Sequence, residues 1–175
     1  KTLVYVRWGH EMENLIGPYP WITEDHAAFI EVYRYVVGRL RSQADNCAFV
    51  WSPAGNRESP DYWPGDEYVD VVGLSILNFP NWEWKQHGRI RSFAQMFSEK
   101  YDRVRQFGHP VMIAEFGVAG SNGHQREWLQ EAFADFADYP LLKSVVFYFS
   151  RDIDGAWGED LPTPDWRFRL TTLEE

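Results

Sequence analysis

Short apolar runs alternate with longer amphipathic segments along the chain. Five runs are rich in Val and Ile and apolar at successive positions, which is typical of buried parallel strands. The predicted strands are residues 3–6, 48–51, 69–77, 111–114 and 144–149. Because mostly helical segments separate them, the pattern predicts a parallel α/β chain.

Three of the separating segments carry apolar residues at helical spacing. Thr23 can cap the first helix, with Glu24 and Asp25 in its first turn. The predicted apolar stripes are Phe29, Val32, Tyr33, Val36, Val37 and Leu40, then Phe93, Phe97, Tyr101 and Val104, then Trp128, Leu129, Ala132, Phe133 and Phe136. The segment between the second and third strands is expected to be irregular.

Two architectures fit this order of elements: a doubly wound sheet and part of a (β/α)8 barrel. The glycine pattern of many doubly wound nucleotide binders follows none of the strands, which favours the barrel as a single domain over residues 1–175. In a barrel, functional side chains gather at the C-terminal ends of the strands. The polar residues at these predicted ends are Arg7, His10, Glu11, Ser52, Asn56, Ser75, Asn78, Glu115, Ser150, Arg151 and Asp152.

Two of these residues, Glu11 and Glu115, are strand-end glutamates. Two facing carboxylates carry out glycoside hydrolysis: one protonates the leaving oxygen, and the other attacks the anomeric carbon or activates water. A separation of about 5 to 5.5 Å predicts retention of configuration, and roughly 6.5 to 9.5 Å predicts inversion. Each glutamate taken alone can equally be the ion-pair partner of a neighbouring arginine, so the interpretation depends on the pair.

Charge and cysteine content exclude several other classes of function. A formal net charge of −9 argues against a nucleic-acid partner, because such binding depends on Lys and Arg, and no apolar run has the length of a membrane span. Cys47, the single cysteine, lies in an apolar run and is expected to be a buried structural thiol.

Metal and serine chemistry also lack their sequence patterns. The zincin-like sequence His10-Glu11-Met12-Glu13-Asn14 lacks its second histidine, the other histidines have no ligand spacing, and no Gly-x-Ser-x-Gly motif occurs. Neither a catalytic metal nor another cofactor is therefore expected.

The chain is rich in tryptophan, with nine residues in 175. An indole ring can stack on the apolar face of a sugar, and core packing is the alternative for each tryptophan. Trp51 and Trp128 are expected in the core, and Trp166 in a closing segment. The tryptophans in or near predicted strand-end loops are Trp8, Trp21, Trp63, Trp82, Trp84 and Trp157.

Five motifs, in this order, resemble glycoside hydrolase family 26, which contains β-mannanases, mixed-linkage β-glucanases and related β-xylan-cleaving enzymes. The resemblance extends over nearly the whole chain. The motifs are Arg7-Trp8-Gly9-His10-Glu11-Met12 with Asn14 nearby, Trp51-Ser52-Pro53, Tyr62-Trp63-Pro64-Gly65-Asp66-Glu67-Tyr68-Val69-Asp70-Val71-Val72-Gly73-Leu74, Ala114-Glu115-Phe116-Gly117 and Asp165-Trp166-Arg167.

The resemblance implies a retaining double displacement on a (β/α)8 barrel, of which this chain carries strands four to eight. Glu11 would be the general acid/base after the fourth strand, and Glu115 the nucleophile after the seventh. Arg7 would lie behind the nucleophile, and His10 would hydrogen-bond to the sugar or the carboxylates. The expected substrate-binding residues are Arg7, Trp8, His10, Asn56, Trp63, Asn78, Trp82, Trp84 and Trp157.

The chain departs from the family at Leu77, which stands where many members carry an aromatic residue whose hydroxyl contacts the nucleophile. Residues 148–150 also differ from the usual Trp-bearing end of the eighth strand. The expected substrate is a β-linked polysaccharide or oligosaccharide, such as β-mannan or β-1,3-1,4-glucan, and the choice among mannan, glucan and xylan stays open. Because such polymers lie outside the cell, an extracellular or periplasmic location is expected.

The absence of strands one to three leaves alternatives open. Half a barrel has two open sheet edges, which favour pairing with another chain. We expect either a piece of a longer protein, which is preferred, or a missing half supplied by a second copy or a partner. The alternative function is a non-catalytic polysaccharide-binding or assembly domain, and a doubly wound nucleotide-binding domain is a more distant one.

Overall fold

The computed structural model describes residues 1–168. These residues form β1 (Val4–Val6), α1 (His26–Arg41), β2 (Cys47–Trp51), β3 (Val71–Asn78), α2 (Pro80–His87), α3 (Phe93–Val104), β4 (Val111–Val118), α4 (Asn122–Asp135) and β5 (Leu142–Phe147). The five predicted strands are confirmed with shifted ends. Within the described part of the chain, no helix combines the length and apolar character needed to cross a membrane.

The strands form one sheet in the order β1-β2-β3-β4-β5. Val4 of β1 lies opposite Cys47 of β2, Val50 of β2 lies opposite Val71 of β3, and both pairings are parallel. A doubly wound sheet reverses its strand order at a switch point, whereas a (β/α)8 barrel adds strands in sequence order. The observed order therefore confirms the barrel and excludes the doubly wound alternative.

Hydrogen bonds between β3 and β4 also have a parallel arrangement. The amide of Val72, near the start of β3, donates to the carbonyl of Pro110, just before β4. At the other ends of the two strands, the amide of Ala119 donates to the carbonyl of Asn78. Residue numbers thus rise together along both strands, as parallel pairing requires.

Internal contacts divide the chain into two compact units. Unit 1 contains residues 1–75, 99–114 and 141–144, and unit 2 contains residues 76–98, 115–140 and the described residues from 145 onward. Strands β3, β4 and β5 contribute residues to both units. Each unit has its own set of buried side chains, described separately below.

In unit 1, α1 packs its predicted stripe inward. Phe29, Tyr33 and Val37 are buried, whereas Val32 at the margin of the stripe is 47% exposed. The predicted cap was wrong by two residues, because Asp25 is the N-cap and its Oδ1 accepts a 2.9 Å hydrogen bond from the amide of Ala28. Thr23 instead accepts a hydrogen bond from the Asp25 amide at 3.0 Å.

In unit 2, aromatic side chains make up much of the core. Phe93 of α3 is fully buried, with its ring centroid 4.9 Å from that of Phe97 and 5.1 Å from that of Phe136. Phe116 of β4 lies 5.6 Å from Trp128 of α4. The second predicted stripe therefore packs inward, and so does the third except for Phe133, which is 40% exposed. The core positions expected for Trp128 and, in unit 1, for Trp51 are confirmed.

Helix α2 was not predicted, and Trp82 and Trp84, which it contains, were expected in or near a strand-end loop. Pro80 occupies the first helical position, where its missing N–H costs nothing. Gly88 ends the helix with φ 65°, and its amide donates to the carbonyl of Trp84 at 3.0 Å. The helix has only eight residues and buries Glu83, so its sequence shows no apolar stripe.

The two strands at the ends of the sheet order carry exposed apolar side chains. On β1, Val4 is 47% and Tyr5 51% exposed. On β5, Val146 is 48% and Phe147 37% exposed. Exposed apolar side chains on a terminal strand are a surface that a further strand or another chain can cover.

Candidate active site

Arg7, directly after β1, forms polar contacts in unit 1 with Ser52, directly after β2, and with Ser75 within β3. Its Nε donates to Oγ of Ser52 at 2.8 Å, and its Nη2 donates to Oγ of Ser75 at 3.3 Å. Phe49 and Ser52 lie on opposite faces of β2 by strand alternation, and Phe49 lies under the guanidinium of Arg41 from α1. Arg7 therefore lies on the face of the sheet that is opposite α1.

Glu11 is held in an unusual backbone conformation in the loop after β1. Its φ is 54°, and among residues 1–168 no other non-glycine residue has a positive φ. Its amide donates to the carbonyl of Ser52 at 2.8 Å, which fixes the loop to the C-terminal end of β2. The left-handed region costs a non-glycine residue about 1 to 2 kcal/mol, and such strain concentrates at functional sites.

Glu13 anchors this loop to the loop that follows β2. Its side chain is buried, and Oε1 accepts hydrogen bonds from the amides of Gly55 at 3.0 Å and Asn56 at 3.3 Å, and from the hydroxyl of Ser59. Asn56, a predicted substrate-binding residue, is exposed beside this anchor. Glu13 was not among the predicted site residues, although its position two residues after Glu11 was a usable signal.

Two aromatic rings of the loop before α1 lie beside His10. The ring centroid of Tyr19 is 4.4 Å from that of His10, and the rings of Tyr19 and Trp21 are stacked at 4.9 Å. Nε1 of Trp21 donates to the carbonyl of His10 at 2.8 Å. The predicted site residue His10 is therefore in an aromatic setting, and Tyr19 joins it although the sequence analysis did not select it.

Trp8 and Trp63, both predicted to contact substrate, pack elsewhere in unit 1. The ring of Trp8 lies 6.0 Å from that of Phe29 on α1. Trp63 stacks on Phe107 at 4.0 Å and lies 5.3 Å from His109, which is just before the N-terminal end of β4. Function in a barrel gathers at the opposite, C-terminal strand ends, and a contact of Trp63 with substrate stays a prediction.

An acidic pocket of about 520 Å³ lies beside the loop that carries Glu11. Burial raises the pKa of the Tyr62 hydroxyl, and the negative charges of Glu13 and Glu24 raise it further. These carboxylates can accept hydrogen bonds from hydroxyl groups. The lining residues are Glu13, Asn14, Leu15, Ile16, Glu24, His26, Glu58 and Tyr62.

Glu115, in unit 2, lies within β4, since the strand continues to Val118 and does not stop before Glu115 as predicted. Its neighbour Phe116 packs on α3 and α4 through Phe93 and Trp128. Because successive side chains alternate, Glu115 is on the opposite face, away from these helices, and it is partly exposed. Gly117 is on the same face as Glu115.

Asn78 ends β3 in unit 2, but its side chain is buried and faces away from the predicted site. Nδ2 donates to the carbonyl of Arg91 at 3.1 Å, and Oδ1 lies 3.0 Å from Nε2 of His124. The Asn78 side chain is thus engaged by Arg91 and His124, and its role in substrate binding stays a prediction. Because Asn78 uses Nδ2 as the donor to Arg91, its Oδ1 accepts and His124 carries the hydrogen on Nε2.

His124 makes the stability of the protein depend on pH. Burial lowers the pKa of His124, and the charge of Glu127 opposes this shift only in part. Below about pH 6.5, the ordinary pKa of histidine, the unfolded chain therefore binds more protons at this residue than the folded chain does. The stability that neutral His124 provides is fully present above that pH. It is lost as the pH falls through the lower pKa that His124 has in the folded state. Between pH 7.5 and 5, we expect the free energy of unfolding, measured in urea, to fall less in His124→Gln than in the wild type. An equal fall in the free energy of unfolding for variant and wild type would contradict this.

The segment after β5 is organised by Asp152. Arg151 and Asp152 both stand at the predicted end of the last strand, and Arg151 pairs with Asp154. Asp152 instead accepts hydrogen bonds from Tyr148, Trp157 and Trp166. This places Trp157, a predicted substrate-binding residue, in a fixed orientation.

The two predicted site residues on α2 have different surroundings. The ring of Trp82 lies 5.5 Å from that of Trp157, so these two predicted residues do come together. Trp84, one position beyond the buried Glu83, is 59% exposed. Trp82 and Trp157 therefore belong to a packed cluster in unit 2, whereas the ring of Trp84 is largely accessible to solvent.

The described residues contain no group of three or more His, Cys, Asp or Glu side chains arranged to hold a metal ion. The candidate groups for chemistry are the two glutamates with Arg7 and His10. A parallel sheet that adds its strands in sequence order and carries such carboxylates is the arrangement found in (β/α)8-barrel glycoside hydrolases. The family model for glycosyl hydrolase family 26 matches residues 4–86, and the resemblance found in the motifs is confirmed.

Similar proteins agree with this assignment. Endoglucanase H of Acetivibrio thermocellus is 26% identical over 162 residues, which cover 85% of this chain and 17% of the relative. A β-1,3-xylanase of Vibrio sp. is 23% identical over 173 residues, covering 88% of this chain and 36% of the relative. The catalytic domain of a Bacillus sp. endo-β-1,4-mannanase superposes with a TM-score of 0.61 at 19% identity, over 83% of this chain and 40% of that structure. The chain thus spans well under half the length of these relatives.

Proposed function

We propose that this chain is part of a retaining glycoside hydrolase that cleaves β-linked polysaccharide. Glu115 would attack the anomeric carbon while Glu11 protonates the leaving oxygen, and Glu11 would then activate the water that releases the sugar. The observation that carries the proposal is the position of the glutamates: Glu11 follows β1 in a strained backbone, and Glu115 lies on the helix-free face of β4 in the same parallel sheet.

The proposed substrate is a neutral β-linked polymer, either β-mannan or β-1,3-1,4-glucan. The similar proteins named above are an endoglucanase, a β-1,3-xylanase and an endo-β-1,4-mannanase, and the last two names denote β-linked substrates. A net charge of −9 suits an uncharged polymer better than an acidic one. The proposed substrate contacts are Arg7, His10, Asn56, Trp82, Trp84 and Trp157, with Tyr19 and Trp21 added from the structure.

We further propose that additional βα units, in a longer polypeptide or a second copy, complete the barrel. The exposed apolar side chains of Val4 and Tyr5 on β1, and of Val146 and Phe147 on β5, support this proposal. Because the polymers lie outside the cell, an extracellular or periplasmic location follows from the proposed substrate.

The test is release of reducing sugar from β-mannan, mixed-linkage glucan, β-1,4-xylan, β-1,3-xylan and cellulose. It is run on this chain and on the full-length product of its gene. We expect hydrolysis of one polymer, with the full-length product at least as active as the chain. If both forms are folded and bind a polymer without cleaving it, a polysaccharide-binding or assembly domain replaces this proposal.

A further inference from the structure

Asp152 accepts three hydrogen bonds from aromatic side chains in unit 2. Its Oδ1 accepts from the hydroxyl of Tyr148 at 2.8 Å. Its Oδ2 accepts from Nε1 of Trp157 at 2.7 Å and from Nε1 of Trp166 at 3.0 Å. One carboxylate oxygen thus holds two indole rings, and this fixes the orientation of each ring relative to the other.

The chemistry of the donors explains why an acidic residue occupies this position. An indole N–H only donates, and it needs an acceptor when the ring is packed among other rings. A carboxylate only accepts, and its charge strengthens each hydrogen bond. Asp152 is therefore matched to the two indoles, and its partner is not Arg151, which binds Asp154.

Trp166 connects this arrangement to the strand that carries Glu115. A methyl group added to Gly117 would lie 3.1 Å from Cε3 of Trp166, so the indole lies directly against β4. Gly117 is on the same face of the strand as Glu115. Trp166 is fully buried, and it therefore acts as a support between β4 and the remainder of the cluster.

Trp157 is the partly accessible ring of the pair. Its centroid lies 5.6 Å from that of Trp166, 5.7 Å from that of Phe79 and 5.5 Å from that of Trp82. It is only partly buried, so part of its surface can contact a ligand. A ring that is packed against several other rings and still partly exposed to solvent is already ordered, so it loses little conformational entropy when a sugar stacks on it.

We propose that Asp152 is a positioning residue for substrate: it orients Trp157, which the buried Trp166 supports, as a stacking surface for a sugar ring beside Glu115. The inference rests on the proposed glycosidase function and adds to it a determinant of sugar affinity. Asp152 does not touch the reacting atoms. Its loss should therefore weaken binding of substrate more than it slows the chemical step.

The test is titration of this chain with hexasaccharides of β-1,4-linked mannose, β-1,4-linked glucose and β-1,3-linked xylose, followed by tryptophan fluorescence and calorimetry. We expect Asp152→Ala to raise the Kd of the bound hexasaccharide by about tenfold or more, because both indoles lose their acceptor. Asp152→Asn should stay within about threefold, since its amide oxygen can accept from the indoles and the Tyr148 hydroxyl can accept from its NH₂. Asp154→Ala, on the same segment, is the matched control and should bind as wild type.

A second variant separates positioning from general loss of structure. If Asp152 acts through the N–H of Trp157, adding Asp152→Ala to Trp157→Phe should raise Kd by less than about threefold. Should Asp152→Ala fail to fold by circular dichroism, Trp157→Phe alone decides, and its expected result is weaker binding.

The outcomes distinguish the two proposals. Unchanged affinity in Asp152→Ala overturns the role of Asp152 and leaves the glycosidase proposal standing. If Asp152→Ala does not fold, unchanged affinity in Trp157→Phe has the same meaning. Equal losses in Asp152→Ala and Asp152→Asn also overturn it. Absence of binding of any hexasaccharide by the wild-type chain contradicts both proposals.

Discussion

Replacing Glu115 by Ala is expected to reduce polysaccharide hydrolysis by at least about a thousandfold, because the proposed nucleophile of the step that forms the glycosyl-enzyme is removed. Folding should stay near wild type, since the Glu115 side chain is partly exposed on its face of β4. The measurement is reducing-sugar release together with a urea-unfolding curve. Glu131→Ala, an exposed change on α4, is the control. Residual activity above about a few per cent of wild type would contradict the role of Glu115 as nucleophile.

Glu11→Ala separates the two carboxylates by their chemistry. An aryl glycoside with a good leaving group needs no protonation of the leaving oxygen, so we expect it to be attacked at a much greater fraction of the wild-type rate than polysaccharide is. Added azide should yield a β-glycosyl azide with Glu11→Ala and an α-glycosyl azide with Glu115→Ala, because azide enters from opposite faces of the sugar. The reverse pairing of products and variants would exchange the two roles.

Arg91→Met is expected to cause the largest loss of stability among single changes outside the aromatic core. Glu83 is 1% exposed, and its carboxylate accepts from Nε of Arg91 at 2.6 Å and from Nη2 at 2.8 Å. Removing the arginine leaves a buried carboxylate without its main partner, which costs about 3 to 5 kcal/mol in the free energy of unfolding. Urea unfolding at neutral pH measures this loss.

Two further variants control for other causes of the Arg91 effect. Replacing both residues, in Arg91→Met with Glu83→Leu, should recover most of the stability, because no charge is then left buried. Arg105→Met removes an ion pair to Asp102 in which both side chains are mostly exposed, and it should leave stability unchanged. A double variant no more stable than Arg91→Met would show that the loss comes from packing and not from the unpaired Glu83.

The positions of the strands and the apolar stripes of α3 and α4 could be predicted from the sequence. In these segments the spacing of the apolar residues and the types of residue indicate the same element. Phe93, Phe97, Tyr101 and Val104 follow helical spacing, and all four are buried. The strand-end motifs could also be found, because Arg7 and Glu115 each stand next to an apolar run. These features depend on residues that are close together in the sequence, so they can be read from the sequence of one chain.

The remaining features depend on contacts between residues far apart in sequence. Trp63 was assigned to a sugar-binding loop, but its stacking partner Phe107 lies on the segment before β4. Asn78 has a suitable position for a site residue, yet its side chain faces His124, which belongs to α4. Asp152 binds rings five and fourteen residues further along the chain, a spacing that has no helical or strand period. Only the folded structure shows these pairings.

The most direct test of the central claim is ¹H NMR of the reducing end released from the preferred polysaccharide in the first minutes of hydrolysis. A retaining double displacement by Glu11 and Glu115 predicts that the β-anomer appears first and that the α-anomer follows only by mutarotation. Initial appearance of the α-anomer would mean inversion and would contradict Glu115 as a covalent nucleophile. No released reducing end from any polymer, with the protein folded, would contradict the glycosidase function itself.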